Sequence, residues 1–200
     1  MRIIAGSFRS RKLRSLPGAD IRPTSDRLRE SLFDVLTAGD PSKLEGSVWI
    51  DLFAGTGAVG IEALSRGAGM VYFVESAKPA AELIQNNLAP LGVTGKFRIL
   101  LQPVRRAVAA VSAEGLRPDF IFLDPPYALK NAYQQTLAVL ANSALSRKAL
   151  VIAEHERKFD PGEKFGLLQR VRLLVQGDAA LSFYRRNPSD GRPIPKNEML

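Results

Sequence analysis

From residue 47 onward, short unbroken apolar runs alternate with stretches in which apolar residues recur at helical spacing. The runs are Val48 to Phe53, Met70 to Val74, Phe97 to Leu101, Phe120 to Leu123 and Leu150 to Ala153. Strands buried on both faces read this way, because crossover helices cover both sides of a parallel sheet. The rhythm then breaks: Val171 to Val175 and Ala179 to Tyr184 flank Gln176-Gly177-Asp178, which predicts an antiparallel hairpin. Five parallel strands finished by a hairpin predict an α/β fold, a Rossmann-like seven-stranded sheet that is mixed but mostly parallel. Upstream, Leu28, Leu32, Phe33, Val35 and Leu36 recur at helical spacing after the capping residues of Arg22-Pro23-Thr24-Ser25-Asp26 and before Gly39, predicting a helix from Ser25 to Ala38.

The charged positions add a partner to this outline. Residues 1 to 16 hold Arg2, Arg9, Arg11, Lys12 and Arg14 with no acid, interleaved with Ile3, Ile4, Phe8 and Leu13, a mixture that predicts a basic ribbon rather than a disordered tail. The whole chain carries 28 Lys and Arg against 20 Asp and Glu, a formal charge of +8, and its pI near 10 points to a polyanion, nucleic acid first. Its 200 residues, 46% hydrophobic, suffice for one core and a modest appendage. The expected organisation is a basic ribbon and helix over 1–40, a catalytic domain over 41–186, and a flexible, polar, Pro-containing tail over 187–200. The chain has no cysteine and opens without an apolar stretch, so the expectation is a cytoplasmic monomer without disulfides, membrane span or thiolate-bound metal.

The first apolar run leads into Asp51-Leu52-Phe53-Ala54-Gly55-Thr56-Gly57-Ala58-Val59-Gly60, a G-x-G-x-x-G pattern where strand turns into helix. Glycines there let a ligand approach the backbone. The second run ends in Glu75, about twenty residues after Gly55, where an acid can accept hydrogen bonds from both ribose hydroxyls. An adenosine-type cofactor follows. A dinucleotide would set pyrophosphate against the helix N-terminus, and Asp51 would oppose it, whereas a carboxylate suits the ammonium and sulfonium of S-adenosylmethionine.

The fourth run ends in Asp124-Pro125-Pro126-Tyr127, a sequence that by composition alone would make an ordinary loop. In a doubly wound sheet, strands 1 and 4 flank the switch point, so the tetrad is expected beside the glycine turn. Asp124 offers an anionic acceptor, Pro125 and Pro126 stiffen the loop and leave carbonyls without competing N–H donors nearby, and Tyr127 offers a stacking face. An extruded base could stack on Tyr127 while its amine donates to Asp124 and the Pro125 carbonyl.

With these motifs in order, the chain resembles the Asp/Asn-Pro-Pro-aromatic amino-group methyltransferases of class I, and more narrowly the RsmD family of small-subunit (16S) ribosomal RNA guanine-N2 methyltransferases. The narrower resemblance is carried by Arg2-Ile3-Ile4-Ala5-Gly6, Arg11-Lys12-Leu13, the block from Arg22 to Phe33, and Gly60-Ile61-Glu62-Ala63-Leu64-Ser65-Arg66-Gly67. It implies transfer of a methyl group from S-adenosylmethionine to the N2 amine of one guanine, in ribosomal RNA or an assembling small subunit. The expected cofactor contacts are Thr24, Asp51, Phe53, Ala54, Gly55, Gly57, Glu75, Ser76 and Gln102. The expected RNA contacts are Arg9, Arg11, Lys12, Arg14, Arg22 and Arg27, with the segment around Arg22 to Thr24 helping to close over the cofactor. The catalytic residues are expected to be Asp124, Pro125, Pro126 and Tyr127. Two positions depart from the pattern. Relatives carry a second acid two residues after the ribose acid, where this chain has Ala77-Lys78, and an Asp or Asn after the third strand, where it has Gln102-Pro103.

His155, the one histidine, stands between Glu154 and Glu156 and reads as a solvated surface group. The pairs Arg105-Arg106 and Arg185-Arg186 read as solvated faces. No His, Asp and Glu cluster has metal-ligand spacing, and a sulfonium donor needs no metal. The expected chemistry is in-line displacement with Asp124 orienting the amine. Methylation of adenine N6 or cytosine N4, a non-catalytic nucleic-acid-binding protein on the same fold, and a nicotinamide oxidoreductase remain open.

Overall fold

The computed structural model describes residues 1–15, 25–126 and 128–187. The chain forms two compact units, Met1–Val104 and Arg105–Leu200.

In the first unit, residues 1–13 fold back on themselves as the predicted ribbon: Arg2 bridges Lys12 in antiparallel fashion, and the Ile3 N–H donates to the Arg11 carbonyl at 2.9 Å. Helix α1 (Asp26–Thr37) starts where the capping signal put it, with the Ser25 hydroxyl accepting from the Leu28 N–H at 3.1 Å. Strands β1 (Val48–Leu52), β2 (Met70–Glu75) and β3 (Phe97–Leu101) are parallel and lie in the order β3-β2-β1. Between them run α2 (Ala58–Ser65) and α3 (Lys78–Leu88). All eight residues of α2 are buried, although its sequence includes Glu62 and Ser65. A helix with no solvent face must satisfy its polar side chains internally, and the ribbon supplies the partners. Phe33 of α1 packs on Trp49 of β1 with ring centroids 5.5 Å apart.

The second unit carries most of α4 (Val104–Ala113), then β4 (Phe120–Leu123), α5 (Lys130–Ala141), β5 (Leu150–Glu156), a two-residue strand β6 (Lys164–Phe165), β7 (Leu168–Gln176) and β8 (Ala179–Arg186). Strand β4 is parallel to β5, which pairs antiparallel with β8, and the order continues β8-β7-β6. The predicted hairpin is β7-β8, turning at Gly177, whose φ is +60°. Eight strands are described where seven were expected; the additional one is β6, too short to leave an apolar run in the sequence.

Strand β5 runs three residues beyond the predicted Ala153, and this corrects the reading of His155. The side chain is 2% exposed, not solvated, because β8 continues beside it: Nε2 lies 2.9 Å from the Ser182 hydroxyl, and Nδ1 lies 2.9 Å from the Glu156 carbonyl. Burial pushes its pKa below the ordinary 6.5. Arg185 and Arg186 are likewise half-buried, donating to the carbonyls of Lys148 and Ser143 at 2.9 and 3.1 Å. Arg105 and Arg106 are exposed as expected. No described helix is long and apolar enough to cross a membrane.

Candidate active site

Strand β1 delivers Asp51 to a turn in which Phe53 has φ +60° and Gly57 +76°. Gly57 is the N-cap of α2 and has no side chain with which to cap it. Asp51 takes that role from the strand: it is 2% exposed, and its Oδ2 accepts the Gly60 N–H at 3.0 Å, placing a carboxylate at the positive end of the helix. A Cβ on Gly60 would press on the Phe73 ring and lie 2.8 Å from Val71 Cγ1, so glycine is what lets α2 lie against β2. A Cβ on Gly55 would meet only the Phe53 carbonyl oxygen, at 3.9 Å. The open face of the turn is therefore at Gly55.

Glu75, at the end of β2, reaches back to that face. Its Oε2 accepts the Gly55 N–H at 3.0 Å and its Oε1 the Ala77 N–H at 2.8 Å. A carboxylate has about four acceptor positions, so a half-buried Glu75 fixed by two peptide N–H groups retains capacity for a diol. The Gln102 N–H donates to the Glu75 carbonyl at 3.0 Å, and Leu101, the register partner of Glu75, is 50% exposed. Ala54 is buried, donating its N–H to Val74, while Phe53 is half-buried and Ser76 is exposed. The first unit thus brings Asp51, Phe53, Ala54, Gly55, Gly57, Glu75 and Gln102 around one turn.

In the second unit Asp124 follows β4 and is half-buried, Pro125 is buried and Pro126 exposed. The expectation that the proline carbonyls lack nearby competing donors is corrected. Pro126 accepts the Leu129 N–H at 2.7 Å, because the chain turns into α5 there, and Pro125 accepts the Tyr133 hydroxyl at 3.2 Å. Tyr133 is 1% exposed, and its ring packs 5.1 Å from Phe159. The expected contacts Arg22, Thr24 and Tyr127 lie outside the described residues, as do 188–200 of the tail.

The side chains of Arg9, Arg11, Lys12, Arg14 and Arg27 are all exposed, while the ribbon backbone is held by residues that sequence reasoning did not single out. Glu62, fully buried on α2, accepts the Ile4 and Ala5 N–H groups at 2.8 and 3.0 Å, pairs with Arg66 at 2.8 Å and with the fully buried Arg29 at 3.7 Å. The Ser65 hydroxyl donates to the Ala5 carbonyl at 2.5 Å and accepts the Phe8 N–H at 3.0 Å. Asn87 of α3 accepts the Arg14 N–H at 2.8 Å and donates to the Thr56 carbonyl of the glycine turn at 3.0 Å. One signal was present: Glu62 and Ser65 are polar residues three apart in a helix that is otherwise apolar up to Arg66.

In the second unit Arg170 donates to both oxygens of Asp160, at 2.7 and 3.1 Å, which holds the Asp160 carboxyl below its usual range. Burial pushes the Tyr184 phenol up to about 12. Among the described residues no group of three or more His, Cys, Asp or Glu is placed to hold a metal ion.

Parallel strands with intervening helices, an acid-flanked glycine turn and a terminal antiparallel hairpin define the α/β methyltransferase fold, and the solved Escherichia coli protein yhhF matches it with a TM-score of 0.78 at 29% identity, covering 94% of this chain and 99% of that one. Residues 1–185 match the model of the family described as conserved hypothetical protein 95, and the chain belongs to that family. Over 157 residues it is 34% identical to ribosomal RNA small subunit methyltransferase D of Haemophilus influenzae, covering 78% of this chain and 79% of that protein. It is also 31% identical over 186 residues to YlbH of Bacillus subtilis, covering 93% and 99%. The family resemblance drawn from the N-terminal block and the core motifs is borne out.

Proposed function

We propose that the protein transfers a methyl group from S-adenosylmethionine to the exocyclic N2 amine of a guanine in small-subunit ribosomal RNA. The observation that carries the reading is the pairing of an open Gly55 face with a Glu75 carboxylate anchored on the Gly55 and Ala77 N–H groups. That arrangement fits an adenosine-type cofactor: Glu75 accepts from the ribose hydroxyls, Gly55 admits the ligand to the backbone, Gly57 with φ +76° turns the chain into α2, and exposed Leu101 offers an apolar contact. Thr24, Asp51, Phe53, Ala54, Ser76 and Gln102 complete the proposed cofactor contacts. When bound, S-adenosylmethionine supplies a methyl group already activated on a sulfonium.

Asp124 accepts a hydrogen bond from the guanine amine and stabilises positive charge as it develops on that nitrogen. Pro125 and Pro126 hold the Asp124 backbone in one conformation, and Tyr127 supplies the stacking face for the extruded base. Orientation provides most of the acceleration, and the amine loses its proton after transfer, so Asp124 need not be a strong base. Arg9, Arg11, Lys12, Arg14, Arg22 and Arg27 bind RNA phosphates. The exposed basic side chains of the ribbon, on a backbone pinned by Glu62, Ser65 and Asn87, support that assignment.

The deciding experiment incubates the protein with labelled S-adenosylmethionine and small-subunit ribosomal RNA, free or in partly assembled subunits, and identifies the labelled nucleoside by mass spectrometry. N2-methylguanosine is expected. Label on adenine N6 or cytosine N4 would replace the guanine assignment, and binding of donor and RNA without transfer would make the protein a non-catalytic binder.

A further inference from the structure

The ribbon and the first turns of α1 line an open cavity of about 480 Å³ whose polar lining is Arg2, Arg9, Ser10, Asp26, Arg27 and Glu30. Both walls are fixed by buried groups. Arg29 Nη2 donates to the Arg2 carbonyl of the ribbon at 2.6 Å and to the Asp26 carboxylate of α1 at 2.9 Å, one contact to each wall. Glu62 holds the ribbon from α2 through the Ile4 and Ala5 N–H groups. The backbone of the walls is therefore preset, and a ligand need order only the exposed side chains that line them.

Its charges fall into two groups. Asp26 is engaged by Arg29 and, at 3.9 Å, by Arg2. The side chains of Arg9, Arg27 and Glu30 are exposed and have no hydrogen bond or ion pair among the described residues. Two guanidiniums and one carboxylate without a partner among the described residues suit a ligand that carries both an anion and N–H donors. An unpaired nucleotide has both: a phosphate matches the guanidinium fork, and the amino group of adenine, cytosine or guanine donates to a carboxylate. Uracil presents two carbonyls and one ring N–H, a poor match to Glu30.

We infer that this cavity receives one unpaired nucleotide of the RNA strand, its phosphate on Arg9 and Arg27 and its base amine on Glu30, in a subsite built from none of the glycine-turn or tetrad residues. The inference rests on RNA being the substrate.

Fluorescence anisotropy with short homopolymers of adenosine, cytidine and uridine tests it. Wild-type protein should bind the adenosine and cytidine strands about fivefold or more tighter than the uridine strand. Glu30→Ala should bring that ratio close to one; the ratio is insensitive to any general repulsion between Glu30 and phosphate, which acts on all three strands alike. Arg27→Gln should weaken all three together and reduce the log–log salt slope by about 0.7, the value for one phosphate contact on a single strand. A ratio that survives Glu30→Ala, or a wild type that shows none, overturns the base contact, and an unchanged slope in both Arg27→Gln and Arg9→Gln overturns the phosphate contact. Calorimetric titration of S-adenosylmethionine into the same proteins keeps the two readings apart: absent donor binding in the wild type would sink the methyltransferase assignment while leaving the strand ratios to decide the subsite.

Discussion

The Tyr133 hydroxyl donates to the Pro125 carbonyl oxygen at 3.2 Å, so a side chain buried on α5 holds the Pro125–Pro126 peptide, one residue beyond Asp124. Tyr133→Phe keeps the ring packed on Phe159 and removes the hydroxyl that makes this bond. A loss of about 0.5–1.5 kcal/mol in urea unfolding is expected. Single-turnover methyl transfer should fall with it, while S-adenosylmethionine affinity stays at the wild-type value. A rate equal to wild type would show that the Pro125 carbonyl needs no such support.

Asp124→Ala should separate binding from chemistry more sharply. With the amine acceptor gone, single-turnover transfer should drop about a hundredfold, near 2.7 kcal/mol, with donor affinity nearly intact in calorimetry. Wild-type turnover in this variant would return the tetrad to the status of a loop.

Glu75→Ala removes the proposed ribose acceptor and also releases the Gly55 and Ala77 N–H groups. A charge-assisted hydrogen bond contributes roughly 1.5 to 3 kcal/mol, so donor affinity should fall about tenfold or more. Unaltered calorimetric affinity would take Glu75 out of the site.

Glu62→Ala takes one of two neighbouring carboxylates from the fully buried Arg29, which keeps Asp26, removes the 2.8 Å partner of Arg66, and strips the Ile4 and Ala5 N–H groups of their acceptor. Breaking a buried pair from one side costs about 3–5 kcal/mol, read as a lower urea midpoint at unchanged slope. The double variant with Arg29→Met should lose less than the sum of the two single variants, since the contact the two residues share is lost only once. Additive losses would mean that the two residues act independently.

The buried His155 makes stability depend on pH. Burial lowers its pKa from the ordinary 6.5, with the Arg170 charge acting in the same direction and two hydrogen bonds to the backbone of Glu156 and Phe159, together with the Asp160 charge, opposing it. The imidazole is neutral in the fold, so as pH falls below about 6.5 the unfolded chain takes up the proton first and stability declines until the folded imidazole protonates as well. Urea midpoints should therefore fall between pH 7 and pH 5.5, and His155→Gln should flatten that part of the profile. An equal decline in the variant would assign it to other groups.

The sequence by itself determined the strand runs, the helix after Ser25, the glycine turn and the ends of β2 and β4, because alternation of apolar runs, capping chemistry and glycine spacing are local properties of the chain. Gly55, Gly57 and Glu75 were legible for that reason: one motif and one strand end put them in register. The partners were not. Whether Glu62 faces water or the ribbon depends on what covers α2, and residues 58 places apart decide it. His155 read as surface because its neighbours in sequence are acids, yet its environment is Ser182 on β8, brought there by strand pairing. The Pro125 carbonyl read as unclaimed because the Tyr133 hydroxyl reaches it only once α5 has packed. Local propensity names an element and its ends, while desolvation and long-range hydrogen bonding decide which polar atoms remain available, and those are settled only when the chain closes on itself.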